Sequence, residues 1–287
     1  MTGDIDERRR FYAEEIEATS RLRTPGLVEA LARVARERFL GPGPWLVRGE
    51  SDFGAPPRPT PDADPKHVYH NLAIAIDPAR QLFNGQPGLV TLLIDALALA
   101  PGARALHLGC GTGYYTALMA HVVGPAGRVI AVDVDEDLAA RARANLSALP
   151  QVEVAHGDGT GPLEPLDAIL VNAGVTHPLE SWLDALAPGG RLVLPLTVAM
   201  DEMGPTIGKG PVVLVTRGAD GGEFAARVLT FVAIFSAVGL RDLAIGARLA
   251  DTLKRNPFPR LARLRRDAHD PSADCWLHAG ACCLSLA

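Results

Sequence analysis

Short apolar runs rich in β-branched residues alternate with stretches of helical periodicity through the middle of the chain. The runs predict strands at 105–108, 129–132, 152–155, 168–171, 191–196, 211–216 and 227–235. The helical patterns between them predict helices at 114–123, 136–149 and 178–187. Strands that are buried on both faces and alternate with helices are typical of a parallel sheet. The sequence therefore predicts an α/β fold with a doubly wound, Rossmann-like, mostly parallel sheet.

The chain on either side of this region has a different pattern. Residues 4–22 predict a charged helix, and Thr24-Pro25 is typical of the start of a second helix, over 27–39. The proline-rich segment 41–65 is expected to be irregular or extended and to form a surface excursion. A short strand over 68–77, the turn 83–87 and a helix over 87–99 are predicted next.

Three segments are predicted on this basis. They are an N-terminal helical segment with the proline-rich loop (1–80), a Rossmann-like cofactor-binding domain (81–238) and a C-terminal extension (239–287). Between residues 241 and 266 eight basic residues stand against two acidic ones, a net charge of 8 − 2 = +6. A solvated helical face explains this better than a docking surface for an acidic peptide. Short final strands are predicted near 275–277 and 282–286.

The predicted strand at 105–108 leads directly into the glycine-rich turn Gly109-Cys110-Gly111-Thr112-Gly113. Glycine permits positive φ and lets a ligand approach the backbone without meeting a Cβ atom. The next strand ends at Asp133, twenty residues after Gly113, where a carboxylate can accept hydrogen bonds from ribose hydroxyls. Ligands of such sheets bind at the carboxyl ends of the strands. The predicted cofactor-binding residues are Gly109, Cys110, Gly111, Gly113, Asp133, Val134, Asp158, Gly159 and Asn172.

The spacing of these glycines distinguishes between cofactors. A dinucleotide fingerprint, G-x-G-x-x-G, would place its third glycine at position 114, which is Tyr114. The turn instead resembles that of S-adenosylmethionine-dependent methyltransferases of the Rossmann-like type (class I). A nicotinamide enzyme is a distant alternative.

Composition narrows the choice of partners and compartment. The 287 residues are 48% hydrophobic and 21% charged, and the net charge of −5 argues against a nucleic-acid-coating surface. No apolar run reaches the roughly 18 to 20 residues of a membrane span, and the N-terminus has no apolar signal region. The four cysteines, at 110, 275, 282 and 283, have no zinc spacing, so no metal site is predicted. Reduced thiols and a cytoplasmic location are expected.

From residue 28 to residue 235 the chain resembles the protein-L-isoaspartate O-methyltransferase family. The matching stretches, in family order, are Arg36-Glu37-Arg38-Phe39, Tyr69-His70-Asn71, Gln86-Pro87, Gly157-Asp158-Gly159-Thr160, Pro188 to Pro195 and Thr230-Phe231-Val232. The resemblance implies S-adenosyl-L-methionine as cofactor and a peptide or protein carboxylate, of isoaspartyl or aspartyl type, as methyl acceptor.

Two positions depart from the family pattern. The family serine of the turn before Pro87 corresponds to Gly85, and the acid two residues before the first glycine corresponds to His107. Asn84 and Gly85 are the predicted acceptor-side residues, with the Asn84 amide as substitute donor. The glycine is expected to leave a small void that admits a bulkier acceptor. Weak activity on generic isoaspartyl peptides, raised by Gly85→Ser, is therefore expected.

The chemistry requires little beyond alignment of the two reactants. A sulfonium methyl is already activated, and an acceptor carboxylate with a pKa of about 4 is anionic at neutral pH and needs no general base. His70 is the best base candidate for an alcohol or amine acceptor, and His107 is expected to be a buried structural imidazole. A tailoring methyltransferase for a peptide or small natural product, and a regulatory protein that binds S-adenosylmethionine without turnover, are the alternative functions. The oligomeric state is left open.

Overall fold

The fold is described from a computed structural model that covers residues 2–49, 52, 55–199 and 206–287. The α-helices are α1 (Thr2–Ser20), α2 (Pro25–Arg33), α3 (Pro87–Ala96), α4 (Tyr114–Val123), α5 (Glu136–Asn145), α6 (Glu180–Ala185) and α7 (Leu243–Arg255). The strands are β1 (Leu46–Arg48), β2 (Arg58–Pro59), β3 (Ala73–Asp77), β4 (Leu82–Phe83), β5 (Arg104–Leu108), β6 (Arg128–Asp133), β7 (Val152–His156), β8 (Leu166–Val171), β9 (Leu186–Pro195), β10 (Val198–Ala199), β11 (Ile207–Arg217), β12 (Phe224–Phe235), β13 (Leu261–Arg265), β14 (Cys275–Ala279) and β15 (Cys282–Leu286). Short 3-10 helices cover Arg36–Phe39 and Pro65–Val68.

The chain divides into two compact units. The first unit comprises Met1–Ala103 and Cys110–His156, and the second comprises Arg104–Gly109 and Gly157–Ala287. The division therefore cuts the chain within the glycine-rich turn, between Gly109 and Cys110.

The first unit contains the N-terminal helices, a small antiparallel sheet and one parallel strand pair. The small sheet has the order β2-β1-β3-β4, and β6 pairs with β7 in parallel. Helix α4 is buried on nearly every side because its residues are almost all apolar and it packs against α2, α3 and β6. Helix α5 begins at Asp135, whose side chain accepts a hydrogen bond from the backbone amide of Leu138.

The second unit contains a mixed sheet. Its order is β14-β15-β13-β12-β11-β9-β8-β5, in which β5, β8 and β9 are parallel and the later pairs are antiparallel. Strands β11 and β12 are antiparallel because the short turn 218–223 joins them as a hairpin. The predicted Rossmann-like α/β class with parallel core strands and N-terminal helices is confirmed.

Ion pairs and solvent both account for the basic residues of the C-terminal extension. Arg265 pairs with Asp267, and Arg266 pairs with Asp184. On α7, Lys254 and Arg255 are exposed, whereas Ile245 and Leu249 are buried. The exposed part of α7 is thus the solvated basic face that the sequence predicts.

Two boundaries near the N-terminus differ from the sequence prediction. The helix expected over 27–39 ends at Arg33, because Val34 is extended and a 3-10 turn follows at Arg36–Phe39. The strand expected from residue 68 begins only at Ala73, after a second 3-10 turn. Within the predicted proline-rich loop, residues 50, 51, 53 and 54 lie outside the described part of the chain. No described helix combines the length and the apolar character needed to cross a bilayer.

Candidate active site

The part of the glycine turn in the first unit has a backbone conformation that favours glycine. Gly111 has φ +57° and Gly113, which precedes α4, has φ +95°. A Cβ atom on Gly113 would lie 2.7 Å from Cδ1 of Leu146. Only glycine therefore permits this turn to pack closely against the end of α5.

Asp133 lies at the end of β6 and holds this turn in place. Its Oδ2 accepts a hydrogen bond from the backbone amide of Gly111 at 2.7 Å, and its Oδ1 accepts one from Asp135 at 3.0 Å. Burial is the main influence on the carboxyl and raises its pKa, although these hydrogen bonds act in the opposite direction. Each carboxylate oxygen has a second lone pair and can accept a further hydrogen bond.

Val134 and Cys110 flank this carboxylate with opposite exposure. Val134 is 43% exposed, which is unusual for a large apolar side chain at the end of a buried strand. Cys110 is buried, and burial raises the pKa of its thiol, so the side chain is uncharged at neutral pH. Its backbone amide donates to the carbonyl oxygen of Val132 at 3.1 Å.

In the second unit, Gly109 and Asn172 are held together at the ends of β5 and β8. The backbone amide of Asn172 donates to the carbonyl oxygen of Leu108 at 2.8 Å, and its side-chain Nδ2 lies 3.4 Å from the carbonyl oxygen of Gly109. Gly109 has φ +73°, and a Cβ atom there would lie 3.1 Å from the Asn172 carbonyl oxygen. Backbone contact between the two strand ends therefore requires glycine at position 109.

Asp158 and Gly159 form a second carboxylate-bearing turn in this unit. Asp158 Oδ1 accepts hydrogen bonds from the backbone amide and the hydroxyl of Thr160, at 3.0 and 2.7 Å, and these bonds lower the pKa of the carboxyl. A Cβ atom on Gly159 would lie 2.1 Å from Cδ2 of Leu108. The indole Nε1 of the buried Trp182 donates to the Gly159 carbonyl oxygen at 3.2 Å, a contact that no local sequence pattern indicates.

Within each unit, these residues have the features that a nucleoside cofactor requires. Glycines expose the backbone in both units, and each unit contributes a carboxylate with acceptor capacity, Asp133 at the end of β6 in the first and Asp158 in the turn 157–160 in the second. The predicted cofactor residues thus form two groups, Cys110, Gly111, Gly113, Asp133 and Val134 in the first unit and Gly109, Asp158, Gly159 and Asn172 in the second.

The turn predicted to lie on the acceptor side, Asn84-Gly85, is in the first unit between β4 and α3. Asn84 Oδ1 accepts hydrogen bonds from the backbone amide of Ile74 at 2.9 Å and from the Arg36 guanidinium at 3.4 Å. Its Nδ2 is buried and has no hydrogen-bond partner among the residues that the structure describes. An unpaired buried donor is costly, so this amide is the kind of group that a bound ligand satisfies.

Arg36 organises the backbone behind this turn, a role that was not predicted from the sequence. The residue is wholly buried, and its guanidinium donates to the carbonyl oxygens of Val68, His70 and Leu72 at 2.8, 3.1 and 2.7 Å. It also contacts the ring face of Tyr114 at 5.7 Å. The one feature of the sequence that pointed to Arg36 is its position in the segment Arg36-Glu37-Arg38-Phe39, which resembles the family pattern.

Gly85 contradicts the expectation of a void. It has φ +79°, and a Cβ atom there would lie 2.9 Å from Cγ2 of Val90, so the space is filled. The hydroxyl of Tyr115, in the first turn of α4, donates to the Gly85 carbonyl oxygen at 3.1 Å. The predicted room for a bulkier acceptor at this position is therefore wrong.

We expect Gly85→Ser to lower the free energy of unfolding, and not simply to raise activity on isoaspartyl peptides. A left-handed non-glycine residue costs about 1 to 2 kcal/mol, and crowding in a packed core adds about 1 to 3 kcal/mol. Gly102→Ser is the matched control, because Gly102 has φ +83° and no atom lies within 4 Å of the place that its Cβ would take. Denaturant unfolding should show the larger loss for Gly85→Ser, and equal losses would show that Val90 leaves room.

The two histidines singled out from the sequence occupy different environments. His70 is exposed, and its carbonyl oxygen accepts a hydrogen bond from Arg36. His107 is wholly buried in β5, and burial lowers its pKa to about 3. The imidazole of His107 is therefore neutral at physiological pH, as expected of a buried structural residue.

Arg241, one of the basic residues of the extension, holds the loop that follows β8. Its Nη1 donates to the carbonyl oxygen of Gly174 at 2.7 Å and to the hydroxyl of Thr197 at 2.9 Å, and its Nη2 donates to the Thr197 carbonyl oxygen at 2.7 Å. Arg241 thus contributes to structure in the second unit and is not part of a free basic surface.

Comparison with known proteins places these features in a family. Residues 60–207 match the family described as protein-L-isoaspartate(D-aspartate) O-methyltransferase. A protein-L-isoaspartate O-methyltransferase from Methylorubrum populi is 33% identical over 225 residues, which cover 76% of this chain and 90% of that protein.

Solved structures show the same fold. One is a protein-L-isoaspartate O-methyltransferase with a TM-score of 0.62 and 23% identity, covering 88% of this chain and 73% of that one. Another, from Plasmodium falciparum, is described as a protein of this kind in complex with S-adenosyl-L-homocysteine. It has a TM-score of 0.58 and 18% identity, covering 80% of this chain and 97% of that one.

Proposed function

Since the chain belongs to the protein-L-isoaspartate O-methyltransferase family and is an S-adenosylmethionine-dependent methyltransferase, we propose that it esterifies a carboxylate of a peptide or protein. The proposed acceptor is the side-chain carboxylate of an isoaspartyl or aspartyl-type residue. A peptide or protein substrate agrees with the activity for which the family is named.

The observation that carries this proposal is the hydrogen bond from Tyr115 to Gly85. Tyr115 lies two residues after Gly113, the last glycine of the cofactor turn, and its hydroxyl holds the backbone of the acceptor-side turn at 3.1 Å. Ile76 of β3 also packs on Gly111. A Cβ atom built on Gly111 would lie 3.4 Å from Cδ1 of Ile76. These contacts support a fixed spacing between the Asn84-Gly85 turn and the cofactor turn within the first unit.

The residues in the first unit have a positioning task rather than a proton-transfer task. The cofactor supplies, when bound, a methyl group that its sulfonium has already activated. An acceptor carboxylate is ionised at neutral pH, so alignment and hydrogen bonding are sufficient. We propose that the unpaired Nδ2 of Asn84 donates to this carboxylate and replaces the serine hydroxyl that the family has at position 85.

Asn84→Asp tests this role because it retains the Oδ1 acceptor for Ile74 and Arg36 but replaces the donor by a negative charge. We expect kcat/KM on an isoaspartyl peptide to fall by roughly tenfold to a hundredfold, with S-adenosylmethionine affinity unchanged. The control is Asn71→Asp, since Asn71 Oδ1 likewise accepts a backbone hydrogen bond, from Gly88 at 2.8 Å. Equal kcat/KM values for the two variants would show that Asn84 does not bind the acceptor.

We also propose that Asp158 accepts a hydrogen bond from the exocyclic amine of the adenine. Asp158→Asn retains Oδ1 for the two Thr160 hydrogen bonds but replaces an acceptor by a donor. We expect the Kd for S-adenosylmethionine to rise by roughly tenfold, measured by calorimetry, with an unchanged melting temperature. Asp167→Asn, which removes an exposed carboxylate that accepts from the Arg104 amide, should leave the Kd unchanged. A cofactor-bound structure with Asp158 far from the purine would refute the assignment.

A further inference from the structure

Four potential metal ligands converge in the C-terminal extension of the second unit. They are His269, Cys275, His278 and Cys283, and their ligand atoms all lie within 4.8 Å of one another. None of them belongs to the proposed cofactor or acceptor sites. Cys283 is wholly buried, and the other three are partly buried.

A β-bulge brings three of these side chains to one face of the β14–β15 hairpin. Cys275 pairs with Ser285 and His278 pairs with Cys283, with a register shift between Cys275 and Leu277. In a regular strand, residues 275 and 278 would face opposite sides, because side chains alternate. The extra residue places both on the side of Cys283, which is the kind of redirection that bulges provide.

His269 reaches the same point from the segment before the hairpin, and its ring orientation is fixed. Its Nδ1 lies 2.8 Å from the carbonyl oxygen of Asp267, to which it can only donate. This bond leaves Nε2 with a lone pair, at 3.5 Å from Sγ of Cys275. A histidine that binds a metal through one ring nitrogen characteristically donates the N–H of the other to a carbonyl or carboxylate oxygen.

Two further observations, one at a thiol and one at an imidazole, fit side chains that face a cation. The backbone amide of Ser272 points at Sγ of Cys275 at 3.4 Å. His278 Nδ1 is buried and makes no hydrogen bond within the described ranges. The cysteines taken alone lack zinc spacing, as noted from the sequence, but the two histidines and the bulge complete a four-donor set.

We propose that His269, Cys275, His278 and Cys283 bind one structural Zn²⁺ ion. Two thiolates and two imidazoles are a ligand set that zinc accepts in tetrahedral geometry. With the usual zinc–ligand bond lengths, tetrahedral donors are separated by about 3.3 to 3.8 Å. The 3.5 Å separation between His269 and Cys275 lies in this range. The remaining separations are at most 4.8 Å, so binding the ion requires the four donors to draw together by about 1 Å or less.

The ion would fasten an irregular segment to the edge of the sheet. Residues 266–274 contain no helix or strand, and β14 and β15 continue the sheet from β13. Because metal binding adds to the stability of the folded state, the extension should lose stability when the ion is removed. Four filled protein ligands leave no open position, so the site has a structural role.

The test uses the full-length protein, produced without a polyhistidine tag and purified with a thiol reductant. After dialysis, elemental analysis should find close to one zinc per chain. Protein stripped of metal should bind Co²⁺ with the absorption of a tetrahedral thiolate complex, and its melting temperature should rise on addition of Zn²⁺.

Cys283→Ser and His269→Gln should each lose stoichiometric zinc and change the Co²⁺ spectrum. Cys282→Ser is the matched control, because Cys282 is a buried neighbour outside the cluster. If Cys283→Ser does not fold, His269→Gln and the Co²⁺ titration of the wild-type protein decide the question. Substoichiometric zinc with no tetrahedral Co²⁺ spectrum would overturn the proposal. A Cys275–Cys283 disulfide that persists after purification with the reductant, or equal zinc loss in Cys282→Ser, would also overturn it.

Discussion

Replacing Arg36 by methionine is expected to lower the free energy of unfolding by about 3 kcal/mol, because three backbone carbonyl oxygens lose a charged donor at once. The methionine retains much of the apolar stem but cannot donate to the carbonyls of Val68, His70 and Leu72. The loss should be visible in denaturant unfolding as a lower midpoint with an unchanged slope.

The matched control for this prediction is Arg33→Met. Arg33 is 64% exposed on α2 and pairs only with Glu29 among the contacts of the described residues. Removal of such a surface pair costs about 1 kcal/mol or less. If Arg36→Met is no less stable than Arg33→Met, water replaces the guanidinium and Arg36 does not organise the acceptor-side turn.

The second large effect is expected at the cofactor turn. Asp133→Ala should raise the Kd for S-adenosylmethionine by roughly tenfold to a hundredfold, the equivalent of about 1.5 to 3 kcal/mol for a charge-assisted hydrogen bond. The variant also removes the acceptor for Gly111, so the glycine turn should become less ordered. Both causes act in the same direction on cofactor affinity.

Calorimetric titration checks this prediction, with circular dichroism to verify the fold. Asp137→Ala is the control, since Asp137 is an exposed acid in the first turn of α5 and its loss changes the net charge equally. Unchanged affinity in Asp133→Ala, or an equal decrease in both variants, would show that Asp133 does not hold the ribose.

The sequence was sufficient for the elements whose signal is local. Helix α4 is found at the predicted residues, 114–123, because a glycine turn precedes it and Gly124 ends it. The parallel strands are likewise recognisable as apolar runs bounded by glycine or polar residues. The apolar pattern does not predict that β11 and β12 are antiparallel, because strand direction depends on the turn that joins them.

Features that depend on distant contacts could not be predicted in this way. The hydrogen bonds of Arg36 join it to residues more than thirty positions away in the sequence. Arg36 is buried in the 3-10 turn that follows the end of α2 at Arg33. The void expected at Gly85 is absent because Cγ2 of Val90, in the first turn of α3, lies 2.9 Å from the place that a Cβ atom would take. The ligand cluster at Cys275 and His278 depends on a bulge, which shifts side chains to a face that simple alternation does not predict.

We propose above all that this methyltransferase esterifies a peptide carboxylate. The most direct measurement is the transfer of label from methyl-labelled S-adenosylmethionine to an isoaspartyl peptide, beside the aspartyl peptide of the same sequence, followed by mild base. We expect label on the isoaspartyl peptide that base releases as methanol, as a methyl ester requires. Base-stable label, or S-adenosylmethionine binding without transfer to either peptide, would contradict the account.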